Sequence, residues 1–187
     1  MMERPAFRLG TSTFLAGHWP TPKDIATMAR SAIACVEIAA PGNFRDVPAE
    51  AIDDSWAALR ATRLERWSLH SAFGGWRDIS SPDEETRRKA LESLRSDFAL
   101  AKELGCQVVV VHPSVEPILA EDRAGHIVQA RASLAEVAEM ARENGVRAGV
   151  EPLPRTCLGN TASEMALLLE GAPAEHVGVC LDVNHAN

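Results

Sequence analysis

The stretch Val177–Asn187, VGVCLDVNHAN, runs from an apolar segment into a carboxylate at Asp182 and an imidazole at His185. A short apolar run bounded by polar residues reads as a buried strand, Val177–Leu181, whose C-terminal end opens into a polar site. Five earlier segments end in a comparable way, at Ser12, Glu37, His70, His112 and Glu151. What these six ends make together decides the fold.

Those segments are strands expected at Phe7–Thr11, Ile33–Ile38, Trp67–His70, Cys106–His112 and Val146–Glu151. Helical patterns lie between them. A helix starts near Thr21-Pro22, a cap residue followed by proline at the first helical position. A second covers Pro48–Thr62, with Ile52, Trp56 and Leu59 on one side. Ser81-Pro82-Asp83-Glu84 reads as a capping box opening a third, lined by Leu91, Leu94, Phe98 and Ala101 and ended by Gly105. The fourth is expected over Arg123–Asn144, closed by Gly145. A second capping box, Thr161-Ala162-Ser163-Glu164, opens a fifth that runs to about Glu170.

Regular βα alternation without a linker leaves two α/β architectures, a doubly wound sheet or a (β/α)8 TIM-type barrel. The first loop, Gly10-Thr11-Ser12-Thr13, lacks the G-x-G-x-x-G that a doubly wound sheet would place there. Polar groups also close every strand, whereas an open sheet concentrates them at its switch point. A ring of strand-end residues is how a barrel builds a site at its C-terminal face. The expectation is one domain, residues 1–187, forming an incomplete barrel of about six βα units.

Counting back by twos places one residue set of each strand inside the barrel. The sets are Cys35 and Glu37; Val108, Val110 and His112; Arg147, Gly149 and Glu151; Gly178, Cys180 and Asp182. Apart from Arg147 at the far end, the residues beneath the polar groups are small or apolar, as a filled interior requires. Three imidazoles and three carboxylates then converge on one mouth. That mixture suits a divalent cation, Mn2+, Co2+, Mg2+ or Zn2+. Taken singly, Glu37 also fits an ion pair with Arg8, and His70 and His112 fit satisfied core histidines. His176 falls on the opposite face, and His126 near a helix N-terminus reads as solvated. For His18, Trp19 and Trp76, on loops at the site face, substrate stacking and loop packing both remain open.

The composition, 46% hydrophobic and 24% charged, is that of an ordinary globular chain, and the net charge of −7 argues against a general nucleic-acid binder. Cys35, Cys106, Cys157 and Cys180 form no C-x-x-C pair and read as reduced core thiols. The N-terminus shows no signal-peptide h-region, and no apolar stretch approaches the ~20 residues of a membrane span. A cytoplasmic location is expected.

The His70 segment with DISSPDEETRRKALE after it, VVVHPS around His112, VEPLPRTCLGNT over Val150–Thr161 and GVCLDVNHAN resemble the xylose isomerase-like TIM-barrel superfamily. The group they are most similar to is the sugar phosphate isomerases and epimerases. The resemblance implies a divalent metal held by Glu151 and Asp182, with Glu151 also the acid/base that moves a proton next to a carbonyl through an enediolate. It implies a small sugar or sugar-phosphate substrate met by His70, His112, His185 and Glu37. The AP endonucleases of the same superfamily use a larger zinc cluster, whose pattern His70, His112, Glu151, Asp182 and His185 also match. Segments for strands seven and eight, with the family's remaining metal ligands, are not found in the sequence. The chain is therefore expected to be a truncated barrel with open edges on its first and last strands, which a second copy could cover. Whether it catalyses alone, or survives as a non-catalytic barrel, stays open at this level.

Overall fold

Val109, Val110 and Val111 are almost inaccessible to solvent, as β-branched residues are when a parallel strand is covered on both faces. They belong to β4 (Val108–Val111), flanked by β1 (Gly10–Ser12), β2 (Cys35–Ala39), β3 (Glu65–His70), β5 (Arg147–Val150) and β6 (Val177–Val179). All five pairings are parallel, and the order of strands in the sheet is their order in the chain. The connecting helices are α1 (Pro22–Arg30), α2 (Ala49–Arg60), α3 (Glu84–Leu104), α4 (Arg123–Asn144) and α5 (Ala162–Leu168). The computed structural model describes residues 8–185. Phe7, at the start of the expected first strand, and Ala186 and Asn187, at the end of the quoted stretch, lie outside the described residues.

Sequential parallel order separates a barrel from a doubly wound sheet, whose order reverses at a switch point. Burial agrees. The strand residues that join the helices in the main apolar cluster are Val36, Ile38, Leu69, Val109, Val111, Ala148, Val150 and Val177. These are one parity of each strand from β2 to β6, so the helices cover one face, and the other parity faces the interior of an unclosed barrel. Among the described residues, β1 and β6 each pair on one side only. No described helix is long and apolar enough to cross a membrane.

Local boundaries differ from the sequence expectations for identifiable reasons. The apolar run from Cys106 becomes a strand only at Val108, because the Cys106 N–H donates to Ala101 O at 2.9 Å and closes α3 instead. Val146 does the same for α4, donating to Ala141 O at 3.1 Å. α3 begins at Glu84, with Asp83 rather than Ser81 as its cap: Asp83 Oδ2 accepts from the Thr86 N–H at 2.7 Å. At α5, Thr161 caps Glu164 as expected, accepting from its N–H at 3.2 Å. The Glu164 carboxylate completes no box, since it turns to Gly159 N and to Arg123.

α3 carries one buried carboxylate on its core face, Asp97, which accepts from the Ala72 N–H at 2.9 Å. Burial pushes its pKa up to about 6, against the opposing influence of that hydrogen bond and of Arg77. The fold therefore retains the proton after the unfolded chain has lost it, so Asp97 costs stability as pH rises from its ordinary value of 3.8 towards 6. Asp97→Asn keeps an oxygen for Ala72. Its stability relative to the parent, measured by urea unfolding, should grow by roughly 3 kcal/mol between those pH values and stay level above them.

Candidate active site

The strand ends meet because their polar residues are staggered. Glu37 lies opposite Ser68, yet the polar end of β3 is His70, two residues on. His70 lies opposite Val110, and the polar end beyond β4 is His112, again two on. His112 and Glu151 are level, each two beyond the paired Val110 and Gly149. Gly149 lies opposite Gly178, which puts Asp182 two residues further along than Glu151. On a flat sheet this series would run diagonally. Strands tilted as in a barrel bring it back to one level.

Glu151 is the centre of the arrangement and is 5% exposed. Its Oε2 accepts from His112 Nε2 at 3.0 Å and lies 3.5 Å from His70 Nε2. Its Oε1 lies 3.0 Å from His185 Nδ1, which is itself 3.7 Å from Asp182 Oδ2. Burial alone would raise the Glu151 pKa, but the His112 and His70 hydrogen bonds hold it well below the usual carboxylate range. Burial would lower the His70 pKa, and its contact with Glu151 together with the Glu37 charge raises it instead. Both shifts favour the charged forms.

Two donor sets share Glu151: His70 with His112, and Asp182 with His185. In each, the potential ligand atoms lie within 4.8 Å of one another. His185 Nδ1 is buried without a hydrogen-bond partner, because the geometry towards Glu151 is wrong for one. An orphaned imidazole nitrogen between two carboxylate oxygens fits a cation, as does the mixed nitrogen and oxygen donor set. Asp182 commits its other oxygen to the Asn184 N–H at 2.7 Å, which leaves Oδ2 for the site.

These groups line a cavity of about 650 Å3, with Ser12, Glu37, Phe14, Phe73, Cys180, Leu181 and Val183. Glu37 is half-buried and accepts from Ser68 Oγ at 3.1 Å. Arg8, the alternative partner, pairs with Glu65 instead. The Phe73 ring stands 4.7 Å from His112 and 5.2 Å from His70, and Phe14 meets His70 edge-on at 5.6 Å. Cys180 is a neutral thiol, its pKa pushed up to about 11 by burial and then by Glu151, Glu37 and Asp182.

Glu37, His70, His112, Glu151, Asp182 and His185 are thus brought to one mouth. The loop aromatics divide. Trp19 is packing, its indole donating to Ser55 Oγ at 2.8 Å and standing edge-on to Trp56. Trp76 stacks against its neighbour Arg77. His126 is not simply solvated, since its Nδ1 lies 2.8 Å from Ser80 Oγ. Sequence reasoning missed Phe73, Asn43 and Asp97. Only Asp97 left a signal, as a carboxylate at helical spacing from Leu94 and Ala101 on an otherwise apolar face.

The loop after β5 is held rigid by a half-buried guanidinium. Arg123 grips Glu164 with two bonds, at 2.8 and 2.7 Å, and donates to Thr156 O and Cys157 O.

The family model described as xylose isomerase-like TIM barrel matches residues 25–187. An uncharacterized protein of Methanocaldococcus jannaschii is 32% identical over 122 residues, 64% of this chain and 41% of that protein. Among solved structures, a D-tagatose 3-epimerase-like protein superposes with a TM-score of 0.82 at 22% identity, over 96% of this chain and 66% of that one. D-psicose 3-epimerase from Clostridium cellulolyticum H10, solved with D-tagatose, gives 0.78 at 22%, over 96% and 64%. The IolI protein, solved with a zinc atom, gives 0.76 at 17%, over 97% and 64%. The chain thus spans 41% of the curated relative and 66%, 64% and 64% of these three structures. At these identities the structural likeness is one of fold.

Replacing Arg123 by Met would leave Glu164 and two carbonyls without their partner. Urea unfolding should register a loss of about 2–4 kcal/mol.

Proposed function

Because the chain belongs to the xylose isomerase-like TIM-barrel family, we propose that it carries a metal-dependent sugar or sugar-phosphate isomerase/epimerase site that moves a proton on the carbon beside a carbonyl. The observation behind this reading is the Glu151 carboxylate, buried at the meeting point of two donor sets. Glu151 and Asp182 would hold the cation, Mn2+, Co2+, Mg2+ or Zn2+. A bound cation would supply Lewis-acid stabilisation of the charge that grows on the carbonyl oxygen.

The chain's own residues account for the rest. Glu151 is kept ionised by His112 and His70, the state a base must be in before it takes the proton from carbon and returns it. His70, His112, His185 and Glu37, all lining the cavity, offer donors and acceptors to substrate hydroxyls. Phe14 and Phe73 cover one wall with apolar surface, which suits the C–H face of a sugar and limits water at the reacting carbon.

A cytoplasmic setting, in which all four thiols stay free, goes with this reading. So does a second copy packed on the unpaired edges, where Leu9 flanks β1 and Val179 and Leu181 sit exposed at β6. Sedimentation of a strict monomer would remove that last element.

A second reading follows from the paired donor sets. Two cations sharing Glu151 would give an AP-endonuclease-like zinc phosphodiesterase, and the net charge of −7 weighs against it. Zinc-dependent incision of abasic DNA would select this alternative.

Calorimetric titration with Mn2+ should show binding to the parent chain. Glu151→Gln and Asp182→Asn should each weaken it by more than the ~10–100-fold typical of losing an outer-shell partner. With Mn2+ present, a ketose panel in deuterated solvent should take up deuterium beside the carbonyl, and Glu151→Gln should abolish the uptake. Mn2+ that binds equally well to all three chains would refute the assignment of ligands.

A further inference from the structure

The segment His70–Phe73 leaves β3 carrying two of the rings that line the cavity, and its backbone is held from three directions. The Ser71 N–H donates to Val110 O at 3.1 Å, and His70 O accepts from the Ala40 N–H at 2.9 Å. Asp97 takes the Ala72 N–H. The remaining groups are met by one side chain, Asn43, at the end of the short turn Pro41–Asn43 that follows β2. Asn43 Oδ1 accepts from the Phe73 N–H at 3.1 Å, and Asn43 Nδ2 donates to Ser71 O at 3.1 Å. A backbone N–H on one side and a carbonyl on the other fix which way the amide points.

Ser71 O has a second donor. His70 Nδ1 lies 3.1 Å from it, and a carbonyl can only accept. The imidazole therefore carries a proton on Nδ1 and turns Nε2 towards Glu151 Oε2 at 3.5 Å. The turn that brings Asn43 here sits tight on the segment. A Cβ at Gly42 would come within 2.9 Å of Ala72 Cβ and 3.2 Å of Arg77 Nη2, so only glycine allows this approach.

From this geometry we infer that Asn43 is a positioning residue for His70: by orienting the Ser71 carbonyl it fixes the proton on Nδ1 and aims Nε2 into the site. The inference rests on the proposed function only for what Nε2 meets there. Partners behind a metal site set the orientation of the groups in it, and here His70 Nε2 faces the Glu151 carboxylate that would hold the cation.

The test is 15N NMR of the imidazoles in the metal-free chain at neutral pH, beside Zn2+ titration. The parent should show a solvent-protected Nδ1–H at His70. Asn43→Asp keeps an oxygen for Phe73 and loses the amide donor, which meets Ser71 O at 3.1 Å and His70 O at 3.4 Å. It should lose that protection with its circular dichroism unchanged, and bind Zn2+ roughly 10–100-fold more weakly. Should Asn43→Asp fail to fold, Gly42→Ala, which moves the turn and keeps Asn43, should weaken the same Nδ1–H signal. A protected Nδ1–H that survives in the variant that folds overturns the inference, as does a parent His70 protonated on Nε2 alone. A parent that binds no Zn2+ but shows the expected Nδ1–H loses the metal reading and keeps Asn43 in its role.

Discussion

A carboxylate removed from water has to be met by donors, and the charge of Glu151 organises this molecule's one polar end. Three imidazoles from three different strand ends surround it. His112 is level with Glu151 on the neighbouring strand, but His70 and His185 are staggered along theirs and could not reach it from a flat sheet. The tilt and curl of the sheet, the burial of its outer face under five helices and the pairing of Glu151 are therefore one arrangement seen at three scales. Small interior residues beneath the mouth, among them Gly149, Gly178 and Cys180, leave room for it.

Much of this was legible in the sequence, for a physical reason. Side chains alternate along strands, so parity alone separates Val36 and Ile38, against the helices, from Glu37 in the cavity. The six strands come in the expected order with their ends within two residues of the expected ones, the last stopping at Val179 rather than Leu181, and the fourth helix has its expected bounds. Other features are tertiary and left little trace. The cap of α3 moved from Ser81 to Asp83 because the side chain that reaches Thr86 is decided by the path of the chain after Pro82. Glu37 finds Ser68 rather than Arg8 because the first described arginine reaches the start of β3 instead. Asn43 and Phe73 look like ordinary loop residues until the turn after β2 is seen lying on the segment after β3.

Rigid loops and an unpaired edge sit side by side in this structure. The β5–α5 connection is bound by Arg123, by Glu164 and by Ser114, whose Oγ accepts from the Leu158 N–H at 2.8 Å. One strand further on, β6 has a partner only in β5 among the described residues, and Val179 in it and Leu181 just after it are largely exposed. The site thus has a firmly bonded wall on the side of β2 to β5.

The alternation of faces also governs which changes of chain length the molecule can absorb. Deleting one residue between Val146 and Val150 would slip the register of β5 and turn Glu151 out among the helices, while bringing Val150 into the cavity. Deleting two would keep the carboxylate facing inward but lower it by a step of about 7 Å. Loops such as 152–161 lie outside this arithmetic. Insertions and deletions accepted over evolutionary time should therefore collect between the strands, and the strands themselves should keep their length.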